Sequence, residues 1–241
     1  GPLHVGHCRG AILGDTLSNI LSFNGNKVTK EYYVNDYGNQ IKKFVNSVYF
    51  RILEIKDKKK FPLDKDLYPG DYVIDIAKII IKNKTFTSYN NFIKIEKKLT
   101  SESLKYSMQL IIKNLKMLGV KHNSFIYESI ISKKILPKAI KNLKKKNYIY
   151  TGKLPAPKGD PQSNWKSRNQ LLFKSTLFGD DLDRPLQKED GSWTYFGGDV
   201  AYHFHKVKRK FDVLINILGA DHAGYIKRIT SATKALSDNN V

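Results

Sequence analysis

The chain has 241 residues, 41% of them hydrophobic and 12% aromatic, enough for a packed core and too apolar for a disordered polymer. Its 42 Lys and Arg against 22 Asp and Glu leave a net charge of +20, which favours a polyanionic partner, nucleic acid ahead of a membrane surface. The single cysteine, Cys8, excludes an internal disulfide framework and fits a reducing, cytoplasmic compartment, and no apolar run approaches the roughly 18 residues of a membrane span.

The opening, Gly1-Pro2-Leu3-His4-Val5-Gly6-His7, runs straight into a helix. Ile12, Leu13, Leu17, Ile20 and Leu21 recur there at helical spacing until Asn24-Gly25 stops it. Two histidines three apart at the mouth of a helix suit phosphate. The first turn leaves N–H groups unpaired, the helix dipole adds partial positive charge, Gly6 admits a ligand close to the backbone, and each imidazole adds a donor. The same residues also fit a polar helix cap. A metal held by His4, His7 and Cys8 is a third reading, although structural zinc sites take four ligands and no second cysteine exists. Residues 27–34 alternate as a strand. Asn35-Asp36-Tyr37-Gly38 then reads as a turn that caps the next helix, marked by Ile41, Phe44, Val45, Val48 and Ile52. Strand and helix in this order suggest half of a parallel nucleotide-binding sheet.

From about residue 56 the pattern changes. A basic loop leads to Tyr68-Pro69-Gly70 and a helix over Val73, Ile76, Ala77 and Ile80, while 82–98 reads as helix or loop. A strong amphipathic helix carries Leu104, Met108, Ile111, Ile112, Leu115 and Leu118 toward the core and stops at Gly119. Residues 124–128 form a short strand, and Pro137 opens a helix ending in Lys144-Lys145-Lys146. Lysine runs of that kind read as solvated surface or as an anion-binding face. Residues 153–163 read as an exposed loop, 168–178 as a strand, and Asp190-Gly191 as a hairpin turn between 184–186 and 192–196. A helix over 199–208, a buried strand over 213–218 and a helix from Ala223 follow. The strand ending at Gly219-Ala220-Asp221-His222 repeats the strand-to-helix layout of the opening.

Gly1-Pro2-Leu3-His4-Val5-Gly6-His7 closely resembles the HIGH signature of class I aminoacyl-tRNA synthetases. Three further stretches resemble the arginyl-tRNA synthetases in particular: Glu31-Tyr32-Tyr33-Val34-Asn35-Asp36-Tyr37-Gly38-Asn39-Gln40, Trp193-Thr194-Tyr195-Phe196-Gly197-Gly198-Asp199-Val200-Ala201-Tyr202-His203, and Gly219-Ala220-Asp221-His222-Ala223-Gly224-Tyr225. The four motifs stand in the family's order and cover nearly all of this chain, though only part of the family's. The resemblance implies an α/β class, a Rossmann-like nucleotide-binding fold split by a mixed α/β connective insertion. Residues 1–55 would be its first half, 56–189 the insertion and 190–241 the start of the second half.

The reaction implied by this resemblance joins arginine to ATP as arginyl-adenylate, releasing pyrophosphate, and then passes the arginyl group to the terminal adenosine of tRNA(Arg). Attack of a carboxylate on the α-phosphate relies on alignment and on stabilising developing negative charge. The resemblance gives that task to His4 and His7, with Gly6 completing the phosphate site. ATP brings its Mg²⁺, and no protein-bound structural metal is expected. Gly219, Asp221 and His222 would meet the ATP, Asp221 accepting from ribose hydroxyls. Tyr195 and Asp199 would face the arginine guanidinium, whose planar fork suits a carboxylate. Without the resemblance, Asp199 and Asp221 read as helix caps and Tyr195 as core. Gly197-Gly198 departs from the Thr-Pro frequent in the family. Asn35, Asp36 and Gln40 look like a positioning element without a catalytic role, and Tyr202, His203 and His205 have no assignment.

Measured against that family, the chain lacks the segment before the first motif, with its substrate-binding asparagine. It also lacks the KMSKS-like loop that clamps ATP phosphates, the anticodon-binding domain and the N-terminal tRNA-binding domain. It is therefore expected to be a partial catalytic domain, silent alone, of a monomeric cytoplasmic enzyme. Two other classes stay open. A nucleotidylyltransferase shares an HxGH site but is smaller and lacks the long insertion. A non-catalytic RNA-binding module accounts for the charge but not for the paired strand-end motifs.

Overall fold

The computed structural model describes residues 1–154, 168–219 and 224–240, and the chain divides into two compact units, Gly1–Phe125 and Ile126–Val241. In the first unit the order is α1 (Val5–Phe23), β1 (Glu31–Val34), α2 (Asn39–Asp57), α3 (Asp71–Lys82) and α4 (Phe92–Met117). β2 (Ser124–Tyr127) lies beside β1 in a two-stranded sheet, its entry fixed by the Asn123 and Ser124 N–H groups donating to the Lys30 carbonyl. The core forms where the helical periodicity is cleanest. Val45, Val48 and Ile52 of α2 meet Val73, Ile76, Ala77 and Ile80 of α3 and Leu99 of α4, all buried.

Several expectations are refined or changed in this unit. The 35–38 turn does lead into α2 with its last residue, Gly38, as N-cap, but no side chain makes a cap bond there, and Gly38 sits at φ +89°, a conformation that glycine adopts without strain. The ambiguous 82–98 stretch resolves into a loop and the start of α4, where Asn91 Oδ1 accepts from the Lys94 N–H at 3.1 Å. The buried face of α4 is Leu99, Ser103, Ser107 and Leu115, whereas Ile112 and Leu118 are exposed. Small serines bring this helix close to α2 and α3, and the apolar stripe read from sequence is rotated partly to the surface. α1 spans the expected residues but buries none of them, leaving Ile12, Leu13, Ile20 and Phe23 exposed. Polar ties hold it instead: Leu3 N–H donates to Asn114 Oδ1 of α4 at 3.2 Å, and Asp15 pairs with Lys30 at 2.7 Å.

The second unit runs through α5 (Glu128–Ile130), a π-helical turn (Ile131–Ile135) and α6 (Leu136–Lys145), with Pro137 in the first turn as expected. An antiparallel sheet follows, β3 (Ile149–Gly152), β4 (Gln170–Phe173) and β5 (Arg184–Pro185), with Ile149 opposite Phe173 and Phe173 opposite Arg184. Then come α7 (Tyr195–Val207) and α8 (Ile226–Ser237). Leu172, Phe173 and Leu186 from the sheet region are fully buried, as are Leu136 and Leu143 of α6, Val200 and Ala201 of α7 and Ala235 of α8.

The 168–178 strand stops at Phe173, because Ser175–Phe178 winds into a 3-10 turn that Gly179 ends at φ +95°. The turn at Asp190-Gly191 forms, but the strand predicted after it shrinks to one bridge, Gln187 with Trp193, since α7 already begins at Tyr195. Residues 213–218 are neither buried nor a strand. Val213, Ile215, Ile217 and Leu218 are exposed, and no strand among the described residues lies beside them to complete a ladder. Most of the 153–163 loop, and the start of the last helix at Ala223, lie outside the described residues.

Candidate active site

His4 is the N-cap of α1. Its Nδ1 accepts from the Gly6 N–H at 3.1 Å, and His7 Nδ1 accepts from the His4 N–H at 3.5 Å. The rings stack with centroids 3.6 Å apart. An imidazole that accepts at Nδ1 carries its proton at Nε2 when neutral, so both exposed rings cap the helix with one edge and offer an N–H with the other. One tautomer makes the observed cap bonds and is compatible with the phosphate reading. Burial and the neighbouring His4 ring hold His7 below the usual histidine range. Gly6 matters for packing as well as approach, because a Cβ there would lie 3.0 Å from His4 Cε1. Among the described residues, no three His, Cys, Asp or Glu side chains gather as a metal site, which includes His4, His7 and Cys8.

In the second unit the first turns of α7 carry Tyr195 and Asp199, one helical turn apart and on the same face. The helix starts where it does because Thr194 Oγ1 accepts from the Gly197 N–H at 3.1 Å and donates to the Pro185 carbonyl at 2.8 Å. Thr194 therefore takes the capping role that Asp199 had as its structural alternative, and Tyr195, 83% exposed, is not core. Gly197 is required by contact: a Cβ on it would come within 2.9 Å of the Leu186 carbonyl oxygen, whereas one on Gly198 meets nothing within 4 Å.

The Asp199 carboxylate accepts from the Tyr225 hydroxyl, and burial together with that carboxylate raises the phenol well above its ordinary range. Arg228 also hydrogen-bonds Tyr225, with its guanidinium 5.0 Å from the ring centroid. Tyr225 ends the strand-to-helix motif, so the second unit joins one end of that motif to α7. Gly219 is exposed at the other end, and Asp221 and His222 lie outside the described residues. Behind Asp199, its main-chain carbonyl is 2.9 Å from Nδ1 of the buried His203. His203 Nε2 is 3.2 Å from Asn216 Nδ2, and Asn216 Oδ1 accepts from the buried Lys206 ammonium at 2.7 Å. Sequence reasoning assigned none of Thr194, His203, Lys206, Asn216 or Tyr225. His203 lies one turn after Asp199 on an apolar helix face, the only hint that spacing offered.

Solved structures place this fold. A Campylobacter jejuni protein described as an arginyl-tRNA synthetase matches with a TM-score of 0.81 at 33% identity, covering 100% of this chain and 50% of that one. The Plasmodium falciparum arginyl-tRNA synthetase, at 19% identity, shares the fold with a TM-score of 0.65 over 99% of this chain and 39% of its own. The fold is that of a class I synthetase catalytic domain. Residues 1–238 match the family of class I tRNA synthetases (R), catalytic domain, and the chain belongs to it. The arginine–tRNA ligase of Pelagibacter ubique (strain HTCC1062) is 59% identical over 239 residues, 98% of this chain and 41% of that relative. That of Ehrlichia chaffeensis is 48% identical over 100% of this chain and 42% of its own length. The chain thus spans about two-fifths of the curated relatives it matches.

Proposed function

We propose that the protein is an arginine–tRNA ligase, in which this chain supplies the phosphate-handling and arginine-binding parts of the catalytic domain. Residues 1–55 and 190–241 are parts of one split Rossmann-like domain, and 56–189 the insertion between them. In the first step the arginine carboxylate attacks the α-phosphate of Mg²⁺-bound ATP, pyrophosphate leaves, and arginyl-adenylate forms. His4 and His7, donating through Nε2–H beside the N-terminus of α1, stabilise the charge that grows on the phosphate oxygens. Gly219, Asp221 and His222 meet the adenosine side. Tyr195 and Asp199 receive the guanidinium. The observation that carries the arginine assignment, beyond membership of the family, is the Asp199 carboxylate, released from capping by Thr194 and oriented by Tyr225.

The second step passes the arginyl group to tRNA(Arg) in the cytoplasm. The net charge of +20 suits that polyanion, and from Ile131 to Lys146 there is no acidic side chain. Lys134, Lys138, Lys141 and Lys145 line one exposed face of this stretch, supporting a contact to phosphate. Pyrophosphate exchange by the full-length protein tests the reading: exchange should require both arginine and tRNA(Arg). Exchange with a substrate other than an amino acid would indicate a nucleotidylyltransferase, and RNA binding without ATP affinity a non-catalytic module; either would overturn it.

A further inference from the structure

The hydrogen-bonded chain from buried His203 through exposed Asn216, on the 213–218 segment, to buried Lys206 has one consistent polarity. Lys206 can only donate, so Asn216 must turn its oxygen toward the ammonium, as the 2.7 Å contact requires. The amide nitrogen then faces His203 Nε2 at 3.2 Å and needs a lone pair there. The imidazole proton is thereby forced onto Nδ1, where it points at the Asp199 carbonyl 2.9 Å away. That carbonyl is also the helical acceptor for the His203 N–H, so the turn bearing Asp199 is held twice. Its carboxylate is held a third time, by Tyr225. Residues 213–219 have no ladder among the described residues, and Asn216 is a side-chain tie from that segment to α7.

We propose that His203, fixed as the Nδ1–H tautomer by Lys206 acting through Asn216, is a positioning residue for Asp199 that couples the segment leading to Gly219 with the guanidinium pocket. This rests on Asp199 as the guanidinium partner. Burial, reinforced by the Lys206 ammonium, keeps the imidazole neutral, with a pKa of about 4.

Two measurements on the full-length protein decide it. Nitrogen NMR of ¹⁵N-histidine-labelled protein, assigned with His203→Asn, should show His203 as the Nδ1–H tautomer, unchanged between pH 5.5 and 8. In Lys206→Met the Asn216 amide is free to turn, and a population protonated at Nε2 should appear. An Nε2–H tautomer in the wild type, or titration near the ordinary histidine value, overturns the proposal. In kinetics, His203→Asn keeps a donor near the Nδ1 position and should hold the arginine KM within about threefold. His203→Leu removes the donor and should raise the arginine KM by about tenfold or more while the ATP KM stays put. Equal arginine KM values for the Leu variant and the wild type overturn the proposal. Should His203→Leu fail to fold, the tautomer result decides alone. Failure of the underlying reading looks different: Asp199→Asn would then use arginine normally, whatever tautomer His203 adopts.

Discussion

At the scale of single residues, the structure separates roles that sequence leaves superimposed. Because Thr194 caps α7, Asp199→Asn removes no cap, and an Asn oxygen still accepts from Tyr225. Thermal stability should therefore stay close to wild type. A buried guanidinium deprived of its carboxylate loses about 3–5 kcal/mol, so arginine usage should fall by roughly two to four orders of magnitude with ATP affinity unchanged. Steady-state arginine and ATP titrations, with a melting curve on the same variant, check both halves. His4 admits a similar separation. Asn is among the best N-caps, so His4→Asn should preserve α1 while losing the outward imidazole donor. Loss of one donor aimed at transition-state charge costs about 3 kcal/mol, so single-turnover adenylation should slow by about a hundredfold with little change in ATP affinity. An unchanged rate would leave His4 as a cap alone.

At the scale of elements, α2 and α3 were legible because their apolar residues recur on one face and sit against each other, and Pro69-Gly70 punctuates the gap. α4 was half legible: its Asn91 cap precedes a stretch in which Lys and Glu blur the period, and its contact face uses Ser103 and Ser107, which hydropathy does not register. Residues 213–218 have the composition of a strand but not its structure, since ladder pairing is a property of two segments and never of one. In the candidate site, His4, His7, Tyr195 and Asp199 were named from the motifs, whereas the Asn216 and Tyr225 contacts to α7 residues arise from folding and leave no local signature. The Gly197-Gly198 pair gives a test of how α7 meets the end of β5. Gly197→Ala forces a Cβ against the Leu186 carbonyl at 2.9 Å and should destabilise by about 1–3 kcal/mol. Gly198→Ala meets nothing and gains helix propensity, stabilising by up to about 1 kcal/mol. Urea titrations of the two variants should move in opposite directions.

At the scale of the whole molecule, the buried groups set its response to acid. His203 has its pKa lowered from 6.5 in the unfolded chain to about 4 in the fold, by burial first and by Lys206 next. Above pH 6.5 neither state holds the proton, and this group adds no pH dependence. Between 6.5 and 4 the unfolded chain takes up a proton that the fold refuses, so stability falls with pH, by roughly 3 kcal/mol in all. A second loss begins lower. Burial alone would raise the Asp180 carboxyl, but the bidentate bonds to Arg184 at 2.6 and 2.8 Å outweigh it and hold the group below its ordinary value. Its contribution is present above the unfolded value of 3.8 and disappears as pH falls through the folded one. Trp193 falls within the second unit, as do His203 and Asp180, so its fluorescence follows the relevant unfolding. Denaturant midpoints for the wild type should fall steadily from pH 6.5 to 4.5. A His203→Asn variant, unable to titrate, should start lower at pH 7 but lose less over the same interval, and the two curves should converge near pH 4. Parallel curves would mean that His203 takes up its proton in the fold as readily as in the unfolded chain, and that acid acts on this protein through other groups.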